Sequence, residues 1–140
     1  MPCASPAQKS TDVEKRVVAQ RGERKVIAMD SISYVDAADA GCIVISASHG
    51  GASSAEYANR QQLAAVFFND AGVGKDQAGI AALALLKVPA GTVSHLSARI
   101  GDVDDTWRNG VISHLNDAAR RAGVKEGERL QDAVAKLLHR

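Results

Sequence analysis

Short apolar runs that are rich in the β-branched residues valine and isoleucine recur along the chain and predict strands. The clearest of them, residues 42–46, is apolar almost throughout instead of alternating, which is typical of a strand covered on both faces. Similar runs at 64–68 and 92–94 predict two more strands. Residues 26–29 predict a first strand, and residues 111–114 predict either a short strand or a helical turn, so that the sheet has three to five strands.

Segments with apolar residues at helical spacing lie between and after these runs. Residues 76–88 carry apolar side chains three or four positions apart, and Pro89 ends the segment because proline disfavours helix in the residue before it. The same reasoning predicts helices over 55–63, 116–122 and 130–138. The chain therefore alternates between strand and helix from residue 41 onward.

The start of the chain has a different pattern. Residues 1–24 are mostly polar, and we interpret them as an N-terminal tail or a short helix. The helix alternative, over 12–21, rests on Thr11 and Glu14, which have the spacing of a capping box. Residues 25–140 are then expected to form a single domain.

Strands that alternate with helices through short connections are typical of a parallel sheet with covering helices. We therefore expect a small three-layer α/β domain, in which a mainly parallel sheet of three to five strands has helices on both faces. Ligands of such sheets bind outside the carboxyl ends of the strands, where the chain leaves each strand. The residues that follow the predicted strands are thus the first candidates for a functional site.

Composition and charge restrict the partners of this domain. Seventeen lysines and arginines against 16 aspartates and glutamates leave a net charge of +1, which argues against a nucleic-acid groove. No apolar stretch approaches the roughly 20 residues that span a bilayer, and no secretory signal is visible, so we predict a cytoplasmic protein without membrane contact. Cys3 and Cys42 are too few for a disulfide framework, and we interpret Cys42 as a small buried apolar residue.

Histidines follow the predicted strands in a repeated local setting. His49, His95 and His114 each come after a serine and a β-branched run. If the strands are parallel neighbours, His49 and His95 emerge at one edge of the sheet together with Asp70. We expect His49 to act as a general acid or base that Asp70 orients, with Ser48 beside them as a third candidate catalytic residue.

Two glycine-rich loops follow strands at the same predicted edge. Gly50 and Gly51 permit close approach of a ligand to backbone amides, which suits an anion or an oxyanion. In the second loop we expect Asn69, Gly72, Gly74 and Lys75 to contact a ligand. This loop is not a Walker motif, because its glycine spacing differs and an aspartate follows the lysine.

The loop after the strand predicted over residues 92–94 contributes the last candidates. Its Arg99 offers a planar guanidinium that binds two oxygens of a carboxylate or phosphate at once, and His95 is expected to contact the same ligand. We therefore predict a pocket for a small-molecule ligand, with Arg99 as its anionic-group contact.

Three functions are compatible with these residues. The first is a small enzyme with hydrolase- or lyase-type acid–base chemistry on a small anionic or amide-bearing metabolite, without a cofactor. The second is a site for zinc or another transition metal, held by His49 and His95 with His114 or Asp70. The third is a non-catalytic binding module or subunit, and in each case the uncovered edges of a small sheet favour a homo-oligomer. The number of proton-transfer groups favours the enzyme.

Overall fold

The computed structural model describes residues 15–49, 59, 61–70, 86–99 and 101–138 of the 140-residue chain. Six strands lie in these ranges: β1 (Lys15–Arg21), β2 (Arg24–Met29), β3 (Ile43–His49), β4 (Ala65–Asn69), β5 (Ala90–Val93) and β6 (Ile112–Leu115). Strands β2 to β5 confirm the four predicted apolar runs, with small differences at their ends. For the segment that predicted either a short strand or a helical turn, the structure has a strand, β6.

The strands form one mixed sheet, and their order in space is their order along the chain. Strands β2, β3, β4 and β5 are parallel, whereas β1 is antiparallel to β2 and β6 is antiparallel to β5. Gly22 turns the β1–β2 hairpin with a φ of +60°, a conformation that glycine adopts without a clash of Cβ. The four parallel strands therefore occupy the middle of the sheet, with their carboxyl ends at one edge.

Helices are few and short in the described part of the chain. They are α1 (Val103–Asn109), α2 (Asp117–Arg121) and α3 (Leu130–Leu138), together with the 3-10 helices Ile32–Tyr34 and Ala37–Asp39. Helices α2 and α3 confirm the predictions for their segments. Helix α1 was not predicted, since its sequence is mostly polar.

Side-chain caps set the start of two helices. The Asp102 carboxylate accepts a hydrogen bond from the N–H of Asp105 at 3.1 Å, and the Asn116 side chain accepts one from Ala119 N–H at 3.0 Å. Such caps satisfy amides that have no partner inside the helix, and each is typically worth about 1 kcal/mol. Polar residues thus determine where α1 and α2 begin.

Successive side chains of the central strands point into two separate apolar clusters, one on each face of the sheet. Ile43, Ile45 and Phe67 belong to the first cluster, which also contains the buried residues of α1, α2 and α3. Val44 and Phe68 belong to the second, which lies under the 3-10 helices. Neighbouring residues of a strand point to opposite faces of the sheet, and here both faces are buried. The central strands are therefore continuous apolar runs in the sequence.

The fold class expected from sequence is wrong. The sheet is mixed and has six strands, with two antiparallel pairs, where we expected a mainly parallel sheet of three to five. The three described α-helices are short, and their buried apolar residues all join one cluster, so within the described ranges they cover one face. The domain is not a three-layer α/β sandwich with helices on both faces.

Two local expectations also need correction. Residues 15–21, which we interpreted as part of a tail or of a helix over 12–21, form strand β1, whose hydrogen-bonding partner is β2. The helices predicted over 55–63 and 76–88 lie largely outside the described residues. Cys42 is fully buried as expected, but it is disulfide-bonded, so it offers no thiol for catalysis.

Candidate functional site

The carboxyl ends of the parallel strands bring together several polar residues. Asp30 follows β2, His49 ends β3, and Asp70 follows β4. The register pairs the backbone of His49 with that of Asn69, so Asp70 lies one residue beyond the end of β3. His95 lies two residues beyond the end of β5, which is the next strand. The predicted gathering of strand ends at one edge is therefore present in the backbone.

Asp70 and His95 form a close polar contact at this edge. One carboxylate oxygen of Asp70 lies 2.6 Å from His95 Nδ1, and the same oxygen accepts the backbone N–H of His95 at 2.8 Å. The carboxylate side chain is only 11% exposed, whereas the imidazole is 53% exposed. Asp70 thus orients a ring that remains open to a small molecule.

The surroundings of Asp70 act on its pKa in two directions. Burial raises the pKa of the carboxyl because it disfavours the charged form. Hydrogen bonds from the His95 side chain, the His95 backbone and the Ser113 hydroxyl lower it, and together they outweigh burial. The net pKa of Asp70 is below its usual value, so the group that faces His95 is an ionised carboxylate.

A tight turn holds His95 in place. The Ser94 hydroxyl accepts the N–H of Leu96 at 3.1 Å, and the Ser97 hydroxyl donates to the Ser94 carbonyl at 2.7 Å. Ser97 also accepts the N–H of Val111, which ties the turn to the start of β6. Because both serine hydroxyls are hydrogen-bonded to backbone groups, they hold the turn in the conformation that places the His95 ring against Asp70.

Three further polar side chains form a hydrogen-bonded group on β5 and β6. Thr92 Oγ1 is 2.8 Å from Ser113 Oγ and 3.2 Å from His114 Nδ1. Thr92 is almost fully buried, and the Ser113 hydroxyl also lies 3.3 Å from the Thr92 carbonyl, to which it donates. Sequence analysis missed Thr92 and Ser113; their only signal was two hydroxyl residues inside short strands.

Arg99 lines a cavity of about 540 Å³ near the ends of β2 and β3. The same cavity is lined by Arg16 and by Asp30, Asp102 and Asp104. Arg16 forms an ion pair with Asp104, whereas the Arg99 guanidinium makes no ion pair with any residue that the structure describes. Arg99 is therefore open to an anionic group of a ligand, in a cavity where carboxylates outnumber cations.

Two candidates from the sequence have structural contacts instead of an open side chain. Ser48 Oγ lies 2.6 Å from Ser46 Oγ and accepts the N–H of Ile32 at 3.2 Å. Asn69 is fully buried and donates from Nδ2 to the carbonyl of Ala98 at 3.1 Å. Ser48 therefore connects β3 to the chain after β2, and Asn69 anchors the loop that carries His95 and Arg99.

The remaining candidates lie outside the described residues. They are the side chain of His49 and the residues Gly50, Gly51, Gly72, Gly74 and Lys75. The expected pairing of Asp70 with His49 stays a prediction, because the side chain of His49 lies outside the described part of the chain; the described partner of Asp70 is His95. β4 lies between β3 and β5, so both histidines follow strands next to β4, and the local sequence alone does not distinguish them.

Searches for a metal site and for a membrane span gave negative results within the described ranges. No group of three histidine, cysteine, aspartate or glutamate side chains in those ranges is arranged to hold a metal ion. None of the described helices combines the length and the apolar character needed to cross a bilayer.

Comparison of the chain with protein-family models, with curated proteins and with solved structures gave no match. Its function must therefore be argued from the geometry of this edge.

Proposed function

We propose that this protein is a small enzyme that performs acid–base chemistry of the hydrolase or lyase type on a small anionic or amide-bearing metabolite. The observation that carries the proposal is the contact of Asp70 with His95: an ionised carboxylate that is 11% exposed is bound to one nitrogen of an exposed imidazole. This pair takes the role that sequence analysis assigned to Asp70 and His49.

The chemistry follows from the two nitrogens of the ring. An ionised carboxylate only accepts hydrogen bonds, so Nδ1 of His95 carries the proton that points to Asp70. The lone pair then resides on Nε2, the nitrogen that accepts a proton from a substrate or a water molecule. The proton taken up by Nε2 is afterwards returned to the leaving group, and Asp70 stabilises the imidazolium between these two steps.

Arg99 supports the choice of an anionic or amide-bearing substrate. Arg99 is four positions after His95, so their Cα atoms are at most about 14 Å apart, the reach of an extended chain of that length. The cavity that Arg99 lines has the size of a small-metabolite site, although Asp70 and His95 are not among its lining residues. Arg99 suits an anionic oxygen, while the carboxylates of Asp30 and Asp102 suit the N–H or O–H donors of the same molecule.

The test is turnover by purified variants of a panel containing p-nitrophenyl acetate, asparagine, glutamine and N-acetylglutamate. We expect His95→Gln and Asp70→Asn each to lower kcat/KM by about 100-fold or more on any compound that the wild type turns over, since general acid–base catalysis contributes at least that much. Asp132→Asn, an exposed carboxylate-to-amide change on α3, is the matched control and should keep full activity. Full turnover by His95→Gln would remove this residue from the mechanism.

A non-catalytic binding module is the second candidate, and one observation favours it. Among the described residues, no serine, threonine or cysteine side chain is hydrogen-bonded to the His95 ring, so none of them is positioned there as a covalent nucleophile. The two candidates differ in a thermal-shift experiment with the same panel. Compounds that raise Tm in the wild type, lose this effect in Arg99→Gln and are never converted would favour the binding module over the enzyme.

A further inference from the structure

The cavity lined by Arg99 has more charged side chains than the proposed acid–base chemistry uses. Arg16 and Asp104, which also line it, form an ion pair with each other. The charged groups left are the guanidinium of Arg99 and the carboxylates of Asp30 and Asp102. None of these three makes an ion pair with a residue that the structure describes. One positive group and two negative groups therefore line the same cavity without being paired.

Each of the two unpaired aspartates has one carboxylate oxygen that the described hydrogen bonds leave unused. Asp30 accepts the N–H of Val103 through Oδ1 at 3.4 Å, and Asp102 accepts the N–H of Asp105 through Oδ1 at 3.1 Å. Neither Oδ2 has a hydrogen-bond partner within the described ranges. An ionised carboxylate only accepts hydrogen bonds, so these two oxygens suit the N–H groups of an ammonium.

Asp105 differs from these two aspartates, because both oxygens of its carboxylate are engaged within the protein. Its Oδ2 accepts the backbone N–H of Arg99 at 2.8 Å, and its Oδ1 accepts a side-chain N–H of Asn109 at 2.7 Å. Asp105 therefore holds the backbone of Arg99 in place without using the guanidinium, which remains for an anionic group of a ligand.

Hydrogen bonds to the sheet fix the wall of the cavity that carries Arg99. Gly101 donates its N–H to the carbonyl of Ala47 on β3 at 2.9 Å, with a φ of +82° that glycine adopts without strain. The Ala98 carbonyl accepts the side chain of Asn69 on β4 at 3.1 Å. The loop is thus attached to two central strands, so that little ordering is needed when a ligand binds.

The charges of the cavity distinguish between classes of ligand. Including the ion pair of Arg16 and Asp104, the lining has two positive and three negative side chains, which gives a formal charge of −1. A ligand that is only anionic would be attracted by Arg99 but repelled by the two unpaired carboxylates. A molecule with both an ammonium and a carboxylate can place each charge against the opposite sign, and its net charge of zero adds no repulsion.

We propose that this cavity binds the zwitterionic end of a free amino acid, with its carboxylate on Arg99 and its ammonium on Asp30 and Asp102. The planar guanidinium binds both carboxylate oxygens at once, whereas the ammonium needs several acceptors, which the two aspartates provide. The inference rests on the proposed function for Arg99 as the anionic-group contact, and it deepens that function because it adds an ammonium to the substrate class.

Isothermal titration calorimetry of the full chain tests the two charges of the ligand separately. The probes are L-alanine, L-glutamine and L-phenylalanine, each also as its N-acetyl form, which lacks the ammonium, and as its methyl ester, which lacks the carboxylate. We expect the wild type to bind at least one of the free amino acids. Both blocked forms of that amino acid should bind about 10-fold more weakly or worse, because each loses charge-assisted hydrogen bonds.

Two variants assign each charge of the ligand to a side chain. Asp30→Asn keeps an acceptor for the N–H of Val103, and we expect it to lose affinity for the free amino acid while it binds the N-acetyl form at least as well as the wild type does. Arg99→Gln should lose affinity for the free amino acid and the N-acetyl form, but not for the methyl ester. Asp132→Asn, an exposed change on α3, is the control and should bind all three forms as the wild type does.

The outcomes separate this inference from the proposed function. Equal affinity for the free and the N-acetylated forms, or binding of none of the three amino acids, would overturn the zwitterion site and leave the pair of Asp70 and His95 untouched. Because His95 does not line the cavity, His95→Gln should bind the free amino acid as tightly as the wild type does. Such binding without turnover of any compound by the wild type would support the site and contradict the enzyme.

Discussion

Replacing Asn69 with alanine is the change that best tells a structural residue from a ligand-binding one at this edge. Asn69 ends β4, is completely buried, and donates from Nδ2 to the carbonyl of Ala98 at 3.1 Å. Ala98 is itself buried in the loop that follows β5. The amide therefore fastens the loop that carries His95 and Arg99 to the middle of the sheet.

The cost of the change follows from what it leaves behind. In Asn69→Ala the Ala98 carbonyl loses a donor in a site that water does not reach, and a buried acceptor without its partner costs about 1–3 kcal/mol. We expect the free energy of unfolding to fall by about 2 kcal/mol. For a chain of this length, Tm then falls by roughly 4–8 °C. Asn69→Asp should cost more, because it places a carboxylate against a carbonyl.

Urea unfolding followed by circular dichroism measures this free energy, and an unchanged m-value shows that the unfolding transition exposes the same surface. The matched control is Asn109→Ala, which removes the same side chain from an exposed position on α1 and should change stability by less than about 0.5 kcal/mol. An equally small change in Asn69→Ala would refute the anchoring role of Asn69 and return it to the candidate ligand contacts.

Two further predictions concern acid and packing. Because the folded pKa of Asp70 is lowered, its contribution to stability is present above the unfolded pKa of about 4 and is lost as pH falls through the folded value. The difference in unfolding free energy between wild type and Asp70→Asn should therefore be largest near neutral pH and shrink in acid. A constant difference in urea unfolding from pH 7 to 3 would contradict this. Gly91→Ala should lower the free energy of unfolding by about 3 kcal/mol, since a Cβ there lies 2.7 Å from the His114 carbonyl oxygen. Wild-type stability in that variant would show that β5 and β6 can move apart without loss of stability.

Local apolar pattern was sufficient to locate the central strands. Residues 43–45 are three β-branched residues in succession, and both of their faces are buried, so periodicity and composition agree. Helix α3 was also predictable, because Leu130, Val134 and Leu137 share one face and are all buried. In these segments the local pattern of apolar residues indicates which side chains are buried, and this burial stabilises the element.

Elements whose stability comes from elsewhere were not predictable in this way. Strand β1 has a helix-like capping pattern before it, but its backbone pairs with β2, and this pairing depends on a partner that the local pattern does not record. Helix α1 is polar in sequence and depends on the Asp102 cap and on burial of Val103 and Thr106. Antiparallel pairing of the edge strands, which overturned the expected fold class, likewise depends on partners and not on local pattern.

For the candidate site, the sequence by itself determined the chemistry available: histidines, a carboxylate and an arginine at the ends of apolar strands. The tertiary structure alone decided which of them meet, since β4 lies between two strands that end in histidine segments and Asp70 turns to His95. It also gave Asn69 and Ser48 structural contacts and brought Thr92 and Ser113 into contact with each other. The physical reason is that hydrogen-bond direction depends on distances of a few tenths of an ångström between residues far apart in the chain, which no local pattern encodes.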